Sequence, residues 1–248
     1  MTPSSAAATG PRILLTRSEE DCADWAERLE QRGARPVSLP CIHCDTVDTP
    51  KLRAALAAAV PNADWLAFTS RRGVEAFATL HTAPLARGKV AVVGAATAAA
   101  ARERLGRVDL VGRGGTAAGL AATLVADGDL GRQPHVLLAV AANAGDILER
   151  TLAAAGARCT RFDVYRTVPA PAPATKRAMS SLGADNVLFA SPTAVTGFVQ
   201  QVAMDVAVNV YTIGPSTTAA ARAHGLQVTA EAREPSLEGI LEAMQWRK

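Results

Sequence analysis

The stretch Ala63-Asp-Trp-Leu-Ala-Phe-Thr-Ser-Arg-Arg-Gly-Val-Glu-Ala-Phe77 returns later in the chain as Ala184-Asp-Asn-Val-Leu-Phe-Ala-Ser-Pro-Thr-Ala-Val-Thr-Gly-Phe198. Each copy reads as a short apolar strand, a hydroxyl-bearing junction and a helix. Working outward, Val90-Ala-Val-Val-Gly-Ala-Ala-Thr97 returns as Val210-Tyr-Thr-Ile-Gly-Pro-Ser-Thr217. Gly33-Ala-Arg35 returns as Gly156-Ala-Arg158, and Thr116-Ala-Ala-Gly119 as Ser236-Leu-Glu-Gly239. The offset stays between 120 and 123 residues throughout. A constant offset over most of a chain means two copies of one α/β unit, and a cleft between copies is the place to expect a ligand.

A chain of 248 residues suits two domains of ordinary size. Hydrophobic residues make up 49% and charged residues 20%, a globular and not a disordered composition. The net charge of +3 is small and aromatics are only 4%, which argues against a nucleic-acid surface and is compatible with an acidic small molecule. No segment approaches the roughly 20 apolar residues of a spanning helix, so no membrane role is expected. The Ser/Ala-rich opening from Met1 to Gly10 lacks the basic start and apolar block of a secretory signal. It reads as a flexible leader, and a cytoplasmic location is expected.

Four cysteines, Cys22, Cys41, Cys44 and Cys159, make no disulfide framework at this length. Cys41-Ile-His-Cys44 has ligand-like spacing but no second paired motif, and it sits in extended chain, so incidental thiols are expected and no metal.

Apolar runs predict strands over residues 13–15, 65–68, 90–93, 108–111, 136–139, 187–189, 208–213 and 226–229. Helical stretches include 19–31, 71–80, 97–105, 144–155, 192–202 and 217–224. Strands alternating with helices imply parallel sheets covered on both faces. Gly33, Gly156 and Gly225 each follow a helix and precede extended chain, as left-handed caps do. Two Pro-flanked stretches, 36–45 and 162–173, break the alternation at matching points of the copies. Both read as crossovers between domains. Crossing at both makes the chain ends into one domain and the middle into the other, though two contiguous halves would give the same offsets.

Ligands of open parallel sheets bind beyond the carboxyl ends of the strands, at helix N-termini. Those junctions are Thr16-Arg17-Ser18, Thr69-Ser70-Arg71-Arg72, Gly94-Ala-Ala-Thr97, Gly112-Arg-Gly-Gly-Thr116, Ala190-Ser191-Pro192-Thr193 and Gly214-Pro-Ser216-Thr217-Thr218. All are small, hydroxylated or glycine-rich, which suits carboxylates or phosphates. Each hydroxyl taken alone is expected to be a helix cap; six in facing copies favour an anion-binding cleft as well. No GxGxxG, GxxxxGK[ST] or GxSxG motif occurs, and His43, His81, His135 and His224 have no metal spacing. An enzyme of this kind works by holding a reactive substrate in shape.

Ile13-Leu-Leu-Thr-Arg17, Phe68-Thr-Ser70 with Arg72 and Val74, Val93-Gly94 with Thr97, Val164-Tyr165-Arg-Thr167, Ser191-Pro192 and Ile213-Gly-Pro-Ser-Thr217 together resemble the uroporphyrinogen-III synthase family, from about Arg12 to Met244. The resemblance implies two flavodoxin-like parallel-sheet domains joined by a two-stranded connection. One is expected over residues 1–38 with 169–248, the other over 45–161, with 39–44 and 162–168 connecting them. It also implies a cyclising hydro-lyase that closes hydroxymethylbilane to uroporphyrinogen III, with ring D inverted and water lost. The hydroxymethyl group of ring A loses hydroxide, the substituted carbon of ring D attacks, and a spiro intermediate fragments and recloses. No cofactor and no metal are implied. Partners are the small-molecule substrate, neither nucleic acid nor membrane, and a transient contact with the preceding pathway enzyme; a monomer is expected.

By the same resemblance Tyr165 assists hydroxide departure, since a phenol with an ordinary pKa of about 10 keeps its proton at neutral pH. Thr16, Arg17, Ser70, Arg72, Thr97, Ser191, Thr193, Ser216 and Thr217 are carried over as substrate-binding, with Arg17 equally suited to a structural ion pair. The chain departs from the family pattern at Ala190, at Val140-Ala-Ala-Asn143 and at Ser216. The alternatives are a non-catalytic two-domain cleft protein for a polycarboxylate and a two-domain glycosyltransferase. The first has no need of Tyr165, and the second wants an acidic ribose-binding residue after a Gly-rich loop.

Overall fold

The computed structural model describes residues 10–246 apart from 129 and 132; the expected leader, except Gly10, lies outside the described residues. The chain divides into two compact units, Met1–His43 with Val168–Lys248 and Cys44–Thr167. In chain order the elements are β1 (Arg12–Leu15), α1 (Glu19–Glu30), β2 (Arg35–Ser38), β3 (Ile42–Thr46), α2 (Pro50–Ala59), β4 (Trp65–Phe68), α3 (Arg71–Leu80) and β5 (Lys89–Val92). They continue through α4 (Ala95–Leu105), β6 (Leu110–Val111), α5 (Ala117–Asp127), β7 (His135–Ala141), α6 (Ile147–Ala154), β8 (Arg158–Pro169) and β9 (Arg177–Ala178). The last are β10 (Asn186–Phe189), α7 (Pro192–Gln201), β11 (Val202–Ala203), β12 (Asn209–Thr212), α8 (Pro215–Ala223), β13 (Ala230–Glu231) and α9 (Leu237–Ala243).

In the first unit the sheet order is β2-β1-β10-β12-β13, and every neighbouring pair is parallel. In the second it is β3-β8-β7-β4-β5-β6, parallel from β8 to β6. Setting β3 aside, the two sheets have one spatial plan entered at different strands: β7 and β8 hold the places of β1 and β2. The expectation of an α/β fold with parallel sheets is met.

The duplication reaches side-chain detail. Asp64 accepts from the His135 amide at 2.8 Å and ties β4 to β7; its counterpart Asp185 pairs with Arg12 at 2.7 Å and ties β10 to β1. The Val90 amide donates to Asp109 at 2.7 Å, and the matching Val210 amide to the Thr229 hydroxyl at 3.0 Å. Thr116 and Ser236 both cap a helix by accepting from a glycine amide at 3.0 Å, and a Cβ on Gly119 or Gly239 would overlap a backbone carbonyl. That overlap explains why glycine recurs at this place in both copies. Gly33 and Gly156 end α1 and α6 at φ +80° and +87°, the left-handed conformation that glycine adopts without strain.

Two strand expectations need correction. Residues 226–229 form no strand; β13 begins at Ala230. Leu226 turns into the core and the Thr229 hydroxyl takes the place of a backbone rung, so the ladder starts later. The expected strand 108–111 shrinks to Leu110–Val111, because the Asp109 side chain holds the Val90 amide ahead of the ladder. Helices α2, α5 and α9 were not among the stretches named from periodicity, yet Thr49, Thr116 and Ser236 cap them as hydroxyl residues do.

Each unit buries a T-shaped phenylalanine pair. Phe68 and Phe77 lie 5.3 Å apart at 76°, and their counterparts Phe189 and Phe198 lie 5.2 Å apart at 77°. All four rings are almost wholly buried in their own unit's core. Cys22 and Cys41 are core residues too, and burial pushes their thiols up to about 11 and about 12.

Phe77→Ala and Phe198→Ala are each expected to destabilise the protein by about 3–5 kcal/mol, the usual cost of emptying a buried aromatic site. Thermal unfolding followed by circular dichroism tests this, and an unchanged midpoint refutes it. Cys22 and Cys41 should resist a thiol reagent in the native protein at pH 8 and react once guanidinium unfolds it. Because their folded pKa values are raised, the stability they contribute is complete below the ordinary thiol value and is lost as pH rises from about 9 to about 11 for Cys22 and to about 12 for Cys41.

Candidate functional site

Within each sheet the parallel strands point their carboxyl ends the same way, and every residue expected to bind or act lies at that edge or one turn past it. In the first unit Thr16 follows β1, Ser191 follows β10 and Ser216 follows β12. In the second Ser70 follows β4, Thr97 follows β5, and Tyr165 lies late in β8. Chain direction along the sheet reverses between β1 and β10 in the first unit and between β7 and β4 in the second. Such switch points are where open α/β sheets take ligands.

The hydroxyls divide into three kinds. Thr16 is fully buried and donates to the Leu188 carbonyl at 2.7 Å, stitching β1 to β10. Ser18, Ser70, Thr116 and Ser191 are helix caps whose oxygens accept from the third helical amide. At Gly94 and Gly214 the capping position carries no side chain, so no hydroxyl of the cap covers the first-turn amides of α4 and α8. Thr97 and Thr217, at matching points of those turns, are buried, while Ser216 is exposed. Thr193, in the first turn of α7, is half-buried.

The cations differ as well. Arg17 pairs with Asp21 at 3.5 Å and lays its guanidinium over Trp25 at 4.4 Å. Arg72 opens α3 behind Ser70 and is half-buried. His135 is a core histidine, with Nδ1 3.0 Å from the Asn62 carbonyl and Nε2 2.8 Å from the Thr160 hydroxyl. Among the described residues no cluster of three or more His, Cys, Asp or Glu is placed to hold a metal ion. Cys41 lies buried in the first unit, its thiol on the Leu39 carbonyl at 3.1 Å, and Cys44 belongs to the second, near the Thr167 hydroxyl at 3.6 Å.

The structure brings Tyr165 and Ser70 together: phenol oxygen and Oγ are 2.9 Å apart. Three local features place them. Ser70 Oγ is held by the Gly73 amide at 2.9 Å as the cap of α3. Gly73 has no side chain, so α3 can approach β7; a Cβ there would stand 2.9 Å from the Ala139 carbonyl and 3.8 Å from the Tyr165 ring. A bulge in β8 does the rest. Val140 pairs with Asp163 but Ala141 pairs with Tyr165, leaving Val164 as the extra residue. Val164 and Tyr165 are therefore both buried, although adjacent residues of a regular strand point to opposite faces. Tyr165 is 9% exposed. Sequence spacing held no sign of the bulge or of the role of Gly73.

The first unit has a polar chain of its own. Thr212 and Thr218 hydroxyls are 2.6 Å apart, and Thr218 donates to Glu231. The matching positions of the second unit are Val92, Ala98 and Val111, so this network exists in one copy alone. Sequence reading missed it; the two threonines and the glutamate lie on three different elements.

Known proteins resemble this chain in sequence and in fold. A family model described as uroporphyrinogen-III synthase HemD matches residues 23–242. A porphyrin biosynthesis protein HemD of Ruminiclostridium josui is 31% identical over 100 residues, which cover 38% of this chain and 20% of that protein. The match thus spans about a fifth of that relative's length. Uroporphyrinogen-III synthetase from Helicobacter pylori superposes with a TM-score of 0.57 at 17% identity, over 96% of this chain and 100% of the other. A mutant uroporphyrinogen III synthase from Thermus thermophilus gives 0.52 at 18% identity, over 95% and 98%. Likeness at that identity is a likeness of fold, whereas the family model covers most of the sequence: this chain belongs to the uroporphyrinogen-III synthase HemD family.

Proposed function

We propose that the protein is a uroporphyrinogen-III synthase, a cyclising hydro-lyase of porphyrin and tetrapyrrole biosynthesis. It closes hydroxymethylbilane to uroporphyrinogen III with inversion of ring D and loss of water, as a cytoplasmic monomer. The family match over residues 23–242 carries this reading. Each unit is read as flavodoxin-like, an assignment supported by the strand order β2-β1-β10-β12-β13 and by the same plan in the second unit. The domains are taken as the two compact units, with β3 and β8 as their connection.

The substrate carries eight carboxylates along a flexible chain, and the work of the protein is to hold that chain in one shape. The glycine-capped start of α4 offers first-turn amides for carboxylates and that of α8 the Ser216 amide, since Pro215 has none and the Thr217 amide donates to the Gly214 carbonyl at 3.1 Å; the positive end of each helix helps. Ser70, Ser191, Thr193 and Ser216 line the same sheet edges, and Arg17 and Arg72 add positive charge there. Thr16, Thr97 and Thr217 are buried and support these turns from beneath. Tyr165 is the source of acid: its phenol supplies the proton with which the hydroxyl of ring A departs as water, and the substituted carbon of ring D attacks the cation left behind. Without such restraint the unhindered carbon of ring D closes first and yields isomer I.

The test is incubation with freshly generated hydroxymethylbilane, followed by oxidation and chromatographic separation of the isomers. Predominant isomer III is expected; isomer I alone, at the protein-free rate, overturns the assignment. Tyr165→Phe is expected to slow closure on the order of 10²-fold while substrate binding is kept, the usual loss on removing one general acid.

A further inference from the structure

We propose that Ser70 delivers the proton to the substrate, with Tyr165 behind it as the source, so that the two hydroxyls act as one acid. The inference rests on the synthase reading above and comes from a count of donors at one oxygen. Ser70 Oγ accepts from the Gly73 amide at 2.9 Å. The Tyr165 oxygen lies 2.9 Å from the same Oγ. Of two hydroxyls in contact, the phenol has the more acidic proton and is the better donor, so Tyr165 donates to Ser70. A hydroxyl oxygen has two lone pairs, and here both are taken. The hydrogen of Ser70 itself is thereby turned away from Tyr165 and from the helix.

Position agrees with this. Tyr165 is buried in the core of its unit among Phe68, Val74 and Phe77, whereas Ser70 is only partly buried, at the carboxyl end of β4 beside the switch point. The acidic group is packed inside and the less acidic one stands at the edge. The Gly73 amide, in the first turn of α3, also stabilises negative charge gathering on Oγ during transfer. The first unit lacks such a pair. Ser191 caps α7 in the same way, accepting from the Ala194 amide at 3.1 Å, but the chain has only two tyrosines, and the other, Tyr211, lies inside β12. Duplication supplied two capped serines, and one of them gained an acid behind it.

The step balances. The carbon–oxygen bond of the ring A hydroxymethyl group breaks with its electron pair on oxygen, and that oxygen leaves as water with the proton of Ser70. Ser70 regains a proton from Tyr165, leaving a phenolate. Ring closure later releases one proton when the pyrrole skeleton is restored, and this returns Tyr165 to the phenol. No co-reactant is consumed.

The experiment measures kcat, KM, isomer ratio and thermal midpoint with hydroxymethylbilane for the wild type, Tyr165→Phe, Ser70→Ala, Ser70→Thr, Ser70→Asn and the Ser70→Ala/Tyr165→Phe double variant. Each of Ser70→Ala and Tyr165→Phe should lower kcat on the order of 10²-fold with little change in KM. The double variant should be no slower than the slower single one, because residues acting as a unit are not additive. Ser70→Thr keeps a hydroxyl and should keep most of kcat. Asn caps a helix about as well as Ser, so Ser70→Asn should hold the thermal midpoint yet lose kcat like Ser70→Ala. Wild-type kcat in Ser70→Asn would reduce Ser70 to a cap, and losses that multiply in the double variant would make the two residues independent; either result overturns the proposal. A wild type that forms only isomer I overturns the synthase reading itself, which these variants do not touch.

Discussion

A parallel strand that hands its chain to a helix leaves the first amides of that helix without backbone partners, and this protein meets the deficit at most of these junctions with a side-chain hydroxyl. Ser18, Thr49, Ser70, Thr116, Ser191 and Ser236 each turn a side-chain oxygen onto the third helical amide. Gly94 and Gly214 do not. The first solution satisfies a first-turn amide with a side chain, and the second has no side chain to do so. One local rule thus shapes most of these helix starts, and the glycine-capped ones are its exceptions.

Ser70 shows how a helix cap takes a second partner without ceasing to cap. Its oxygen remains on the Gly73 amide while Tyr165 comes within 2.9 Å on its other side. That approach depends on two departures from regular structure, a bulged residue at Val164 and an absent side chain at Gly73. A bulge adds one residue to a strand and re-aims the side chains beyond it, which is how a tyrosine beside a buried valine also ends up buried. Each departure is understandable once the phenol has to reach the start of α3.

Duplication explains what is shared, and the differences show where each copy was specialised. The phenylalanine pairs, the aspartates that open β4 and β10, and the hydroxyl–glycine starts of α5 and α9 match across the units. The Thr212–Thr218–Glu231 chain belongs to the first unit and the Ser70–Tyr165 pair to the second. Shared features lie in the cores, at strand starts and at the starts of α5 and α9. The divergent ones sit at the carboxyl edges of the sheets.

Much of the fold is legible because its signals are local: periodicity in α3, the Ser70 and Ser191 caps and the glycines after α1 and α6 act within a few residues. The repeat extends that reading, since an offset of 120 to 123 residues aligns two copies without any knowledge of their shape. Local signals fail where a contact distant in sequence decides. The strand expected at 226–229 yields to the pull of the core on Leu226, and α2, α5 and α9 owe their apolar faces to partners that periodicity does not name. Sequence alone determined the α/β class, the duplication and which junctions carry hydroxyls. Only tertiary structure decided that Thr16 is sealed against Leu188 while Ser70 meets Tyr165, residues 95 positions apart. A hydroxyl has one meaning as a letter in the chain and another once packing settles which atoms lie within 3 Å of it.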